Sequence, residues 1–238
     1  MAALAESFPA IKNVLAEHYG RPESGFEGLS QFERVIAAGV LGPRPTDRRR
    51  ASAIASALDR AGLGRPEVLA EAELLEISDA LSEGGAALAA KAVAVLRRLA
   101  RWFVAEFPDC TELEGENEKS GHAGADAARL RQGLAAQNGI GPARADAILL
   151  ALGFSVYPVD RGTFRILVRH GWIDASGSYD EASDLLSQQL KHDPRDVETV
   201  AHGMAQVGRR FCKAGVPQCQ ACPLAPFLPE RGPLEPDF

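Results

Sequence analysis

Gln137-Asn138-Gly139-Ile140-Gly141-Pro142-Ala143-Arg144 leads into the apolar run Ala145-Asp146-Ala147-Ile148-Leu149-Leu150, and Val159-Asp160-Arg161-Gly162-Thr163-Phe164-Arg165 follows it. Two glycines one residue apart, at a junction between helices, permit positive φ and let a ligand come close to the main chain. Pro142 suits the first turn of the next helix. The start of that helix offers free N–H groups and the positive end of a dipole to an anion such as a DNA phosphate. A Gly-x-Gly triplet alone is also an ordinary tight connection. Here a helix precedes it, an apolar helix follows, and Asp160 stands nineteen residues past the second glycine, so the stretch reads as a helix-hairpin-helix.

Asp160 opens a helix whose Phe164, Ile166 and Leu167 can face inward. In its plain reading it is an N-cap, worth about 1 kcal/mol. The same helix N–H groups favour the ionised carboxylate, which can then stabilise positive charge and orient a water. Cleavage of a glycosidic bond builds such charge on the sugar. Depressed basicity suits this electrostatic role better than general-base work.

The rest of the chain supports an all-α fold. Ala, Leu, Arg and Glu are abundant, whereas Thr, Tyr and Ile are sparse, which favours helices over a sheet. Apolar periodicity predicts helices over Phe8 to Tyr19, Phe32 to Leu41, a stretch capped by Thr46 or Asp47 and ending at Gly62, and Ala86 to Phe107. One or two short acidic helices fall between Pro66 and Leu81. Cys110 to Gly124 has no periodicity and reads as an acidic surface loop, after which Asp126 caps a helix to Ala136. Further helices run from Pro142 to Gly153, from Asp160 to near His170, from Asp180 to Lys191 and from Pro194 to Phe211. At 238 residues the chain can bury a full core, and two small helical domains are expected.

The formal charge of −6 argues at first against a nucleic-acid partner. Distribution matters more than the sum. The acids concentrate in Glu67 to Glu83 and Cys110 to Glu118, while Arg44, Arg144, Arg161, Arg165, Arg169, Arg209 and Arg210 sit near the segments just described. Arg48-Arg49-Arg50 and Arg97-Arg98 read as solvated helix faces with DNA contact as the alternative, and Trp102 and Trp172 as packing anchors. Tyr157 either walls a pocket or packs in the core. No apolar run is long enough to span a membrane and the N-terminus lacks the features of a signal peptide, so a soluble cytoplasmic protein is expected. Three of the four cysteines, Cys212, Cys219 and Cys222, bunch near the C-terminus, which suggests a metal or cluster rather than disulfides.

Gly139-Ile140-Gly141 through Leu150, Val159-Asp160 with Phe164-Arg165, and the closing Cys212, Cys219 and Cys222 resemble the endonuclease III branch of the helix-hairpin-helix DNA glycosylases. Thr46-Asp47 after Leu41 extends the likeness to most of the chain beyond about residue 28. The resemblance implies a six-helix domain over 28–153 and a second helical domain built from 1–27 and 154–238, with DNA bound in the cleft between them. It implies a monomer, associated with the nucleoid, that flips a damaged or mismatched base out of duplex DNA with Asp160 essential. Gly139, Ile140, Gly141, Ala143, Arg144 and Arg161 would touch DNA, and Arg44 would fill the gap left by the flipped base, its bland role being a solvated charge.

Two positions depart from the family. Bifunctional members carry a lysine nucleophile where this chain has Ala143, so a monofunctional glycosylase is expected. A non-catalytic DNA-binding protein and a glycosylase-lyase with a displaced lysine are the alternatives. The family's iron-sulfur loop has a fourth cysteine where this chain has Leu228. A [4Fe-4S] cluster, a zinc ion and a metal-free loop all remain open.

Overall fold

The computed structural model describes residues 2–43, 47–108, 123–190 and 193–234. Eleven α-helices and no strand occur among them. They form two compact units, Glu23–Phe154 and the combination of Met1–Pro22 with Ser155–Phe238.

The Glu23–Phe154 unit carries α2 (Gln31–Leu41), α3 (Arg48–Arg60), α4 (Pro66–Glu71), α5 (Leu74–Glu83), α6 (Ala90–Glu106), α7 (Ala123–Ala135) and α8 (Pro142–Ala151). Ser30 and Glu33 start α2 with a reciprocal capping box, and Asp47 caps α3 by accepting from Arg49 N at 3.0 Å. α2 packs against α3, α6 and α8. Its Gly39 is what permits the approach to α6, since a Cβ there would stand 2.1 Å from Leu99 Cδ1. Phe32, Phe103, Phe107 and Trp102 form a chain of tilted and edge-on rings beside Val35, Ile36 and Leu99. Trp102 is thus a packing anchor.

The other unit carries α1 (Ala2–Tyr19), α9 (Arg161–Arg169), α10 (Tyr179–Gln189) and α11 (Pro194–Arg210). α1 and α9 both pack on α11. Leu4, Phe8, Ile11 and Leu15 turn one buried stripe of α1 inward, and Lys12 pairs with Asp196. Gly162 of α9 and Gly208 of α11 meet backbone to backbone, because a Cβ on Gly208 would lie 3.0 Å from Gly162 Cα.

Three boundaries differ from the sequence reading. α1 begins before Phe8 and runs through Pro9, whose missing N–H interrupts only one bond of the ladder. Ala123 and Gly124 already belong to α7, so Asp126 lies in its first turn rather than at its cap. α6 begins at Ala90, four residues later than expected, because Gly85 takes φ +72° and holds the preceding loop out of the helix.

Candidate functional site

The hairpin between α7 and α8 uses its glycines differently. Gly139 sits at φ +91°, where only glycine is comfortable, and Val95 Cγ2 leaves little room for a side chain. Gly141 has an ordinary φ of −87° and nothing within 4 Å of where its Cβ would be. No internal crowding demands glycine there; the bare position leaves backbone open to an outside group. Ile140 is buried, and its N–H donates to Gln137 O at 3.0 Å. It anchors the turn from inside. The N–H groups of Gly139, Gly141 and Ala143 make no hydrogen bond among the described residues and are the donors available to an anion.

Side chains brace this turn. Arg98 donates to Asn138 O at 2.9 Å and Arg144 to Gly139 O at 2.7 Å. Below it, Arg131 of α7 and the fully buried Asp146 of α8 form a two-pronged pair at 2.7 and 3.1 Å, which ties together the helices on either side of the hairpin. The sequence reading missed this pair, although an aspartate inside the apolar run Ala145–Ala151 was its signal. Ala143 follows in the first turn of α8 and brings no amine.

In the other unit, Asp160 caps α9. Its Oδ1 accepts from Thr163 N at 2.7 Å, while Oδ2 makes no hydrogen bond among the described residues. The carboxylate is half-buried. Gly162 keeps one side of it open, since a Cβ there would be 3.3 Å from Oδ1. One oxygen is therefore fixed by the helix and the other is left for an external charge or a water. Beneath this helix start lies Tyr157, fully buried and thus a core residue, with its hydroxyl outside hydrogen-bonding geometry. Burial drives its phenol far above the ordinary value; the Thr163 side chain pulls it partly back and the Asp160 charge pushes it up again. Arg161 is exposed. Arg44 lies outside the described residues, as do Cys110 and most of the acidic stretch.

Cys212, Cys219 and Cys222 line one small cavity with Arg169, His170 and Leu228, with room for no more than a single water at about 10 Å³. Arg169 is buried, not a surface cation. It donates to Lys213 O at 2.6 Å, to Gly215 O at 3.0 Å and to Cys212 Sγ at 3.5 Å. Arg165 adds bonds to Cys212 O, and His170 stacks on Trp172 while its Nδ1–H donates to Phe227 O. Burial pushes the Cys222 thiol up to about 11, with the Leu224 amide opposing and Cys219 and Cys212 reinforcing the shift. Leu228 presents carbon where a fourth thiolate would stand. Among the described residues no group of three or more His, Cys, Asp or Glu is arranged to hold a metal ion. Three thiols and a leucine do not fit the four-thiolate set of a cubane cluster.

Comparison with known proteins agrees with this architecture. No family model matches the chain. Endonuclease III of Sulfolobus acidocaldarius is 26% identical over 191 residues, 79% of this chain and 77% of that protein. A candidate DNA repair glycosylase of Methanocaldococcus jannaschii is 32% identical over 120 residues, 49% of this chain and 53% of that one. Among solved structures, a trapped covalent endonuclease III–DNA intermediate superposes with a TM-score of 0.62 at 20% identity, over 94% of each chain. A non-covalent endonuclease III–DNA complex gives 0.58 at 20% identity over 95% of each. These two likenesses bear on the fold. In fold, hairpin and sequence together the chain resembles the helix-hairpin-helix DNA glycosylase superfamily. Within it, the likeness in sequence is to the endonuclease III branch.

Proposed function

We propose that the protein is a monofunctional DNA glycosylase of base excision repair. It hydrolyses the N-glycosidic bond of a damaged or mismatched base in duplex DNA and leaves an abasic site. The observation that carries this reading is Asp160, with Oδ1 held by Thr163 N and Oδ2 unengaged. Charge building on the sugar of a flipped nucleotide is what such a carboxylate stabilises, and the same oxygen can orient the attacking water. The free N–H groups at Gly139, Gly141 and Ala143 suit a phosphate of the same DNA. Ala143 supplies no nitrogen for a Schiff base, which favours hydrolysis over lyase chemistry. Asp160 is the catalytic residue, and Arg44 and Arg161 are further DNA contacts. No described helix is long and apolar enough to cross a membrane, and the protein is proposed to act as a monomer on DNA in the cell interior.

The test uses end-labelled duplexes carrying single lesions or mismatches, with and without alkali after incubation. Alkali-dependent cleavage is expected, and Asp160→Asn should slow it by about two to three orders of magnitude. Nicking without alkali, with borohydride trapping of a covalent adduct, would replace this reading with that of a lyase. Tight binding with no cleavage of any lesion would reduce the protein to a DNA-binding module. Iron content and visible absorbance decide separately whether the cysteine loop takes a cluster, and zinc analysis whether it takes zinc.

A further inference from the structure

Beside the hairpin, inside the Glu23–Phe154 unit, lies a groove of about 580 Å³. Its charged lining is Lys91, Arg98 and Arg144, and no acidic side chain lines it. A second groove of the same unit is lined by Glu73, Glu76, Asp79 and Glu83. The charges of an acidic protein are thus sorted by sign. None of the three cations makes an ion pair among the described residues, and Arg144 Nε is buried without a hydrogen-bond partner. Two of them already serve the hairpin, since Arg98 and Arg144 cover the carbonyl oxygens of Asn138 and Gly139. Those oxygens are the negative ends of the turn and would repel an anion. Covered by guanidinium groups, they no longer do, and the terminal N–H donors of both arginines that those carbonyls do not use are left for an outside acceptor, Arg144 Nε being buried.

We infer that this groove binds the phosphodiester backbone of duplex DNA, extending the contact past the hairpin amides, with Lys91, Arg98 and Arg144 each neutralising a phosphate. The inference rests on the proposed reading of the protein as a DNA glycosylase and names where its substrate's backbone runs. Lys91 is the decisive residue because it takes no part in bracing the hairpin.

The experiment is fluorescence anisotropy of the full-length protein with an undamaged labelled duplex across a salt series. Each phosphate contact contributes about 0.9 to the slope of log K against log salt. Lys91→Ala should flatten the slope by about one, and Lys91→Arg should restore it. Arg98→Gln should flatten the slope and weaken binding more than Lys91→Ala does, because it also uncovers Asn138 O. Arg65→Ala removes an exposed cation outside the groove and should leave the slope unchanged, with thermal melts confirming that all variants fold. An unchanged slope in Lys91→Ala, or an equal change in Arg65→Ala, overturns the groove. Base excision is scored separately: excision with an unaltered Lys91→Ala slope sinks the groove alone, whereas a flattened slope in a protein that excises no base sinks the glycosylase reading alone.

Discussion

A single helix start divides the labour of Asp160 and Tyr157. The carboxylate gives one oxygen to Thr163 N, and the phenol below it is buried with its hydroxyl outside hydrogen-bonding geometry. An unsatisfied buried hydroxyl costs about 1–3 kcal/mol, so Tyr157→Phe is expected to raise stability at pH 7 by about 1 kcal/mol or more. The pH dependence has a definite sign. The folded phenol is raised above its ordinary value, so above pH about 10 the unfolded chain releases a proton that the folded chain keeps. Stability is therefore full below that pH and declines as pH rises. Urea unfolding at pH 7 and at pH about 10.5 should show the decline in the wild type and a shallower one in Tyr157→Phe. A loss of stability in the variant at pH 7 would mean that Thr163 satisfies the hydroxyl after all.

The hairpin shows what local sequence can and cannot reveal about an element. Gly139 is required by its own backbone at φ +91°, whereas Gly141 is not. Gly139→Ala should cost about 1–2 kcal/mol in thermal or urea unfolding, the penalty of a side chain in the left-handed region. Gly141→Ala should cost under about 1 kcal/mol, as a change at an N-cap, yet weaken DNA binding because a methyl group would cover open backbone. Equal destabilisation by both, with unchanged DNA affinity, would remove the anion-binding role from the turn. Turn glycines, the caps Asp47 and Asp160, and Pro142 were legible because each acts on its immediate neighbours. The capping box of Ser30 and Glu33 was equally local but went unread. Asp146 among apolar neighbours signalled a buried charge, but neither its partner Arg131 nor Arg98 on Asn138 O could be read, because fifteen and forty residues separate the partners and periodicity carries no information across that distance. The same holds for Leu228: its spacing from Cys222 was visible, but its place in the wall of a cavity too small for more than a water was not.

For the molecule as a whole, chain order and physical order differ. Glu23–Phe154 is a continuous stretch with its own core, but the other unit is completed by α1, which precedes the rest of it by well over a hundred residues. α1 buries Leu4, Phe8, Ile11 and Leu15, each at most 3% exposed, against its unit, and Gly203 of α11 admits Leu15 where any Cβ would stand 2.8 Å from Leu15 Cβ. Each of those four side chains contributes about 1.5–3 kcal/mol by burial, a large part of the 5–15 kcal/mol that holds a typical domain together. The ion pair of Lys12 with Asp196 adds less, since both partners are partly exposed. Residues 23–154 expressed alone should therefore unfold cooperatively, whereas residues 155–238 alone should lack a sharp transition. Adding a peptide of residues 1–22 in trans should restore one, and the same peptide with Leu15→Ala should bind more weakly by about 2–5 kcal/mol, the usual cost of such a truncation in a core. Circular dichroism melts with titrated peptide measure this directly. A sharp transition for 155–238 without the peptide would show that α1 is an accessory to that unit, and that the glycine cleft of α11 is not what holds it.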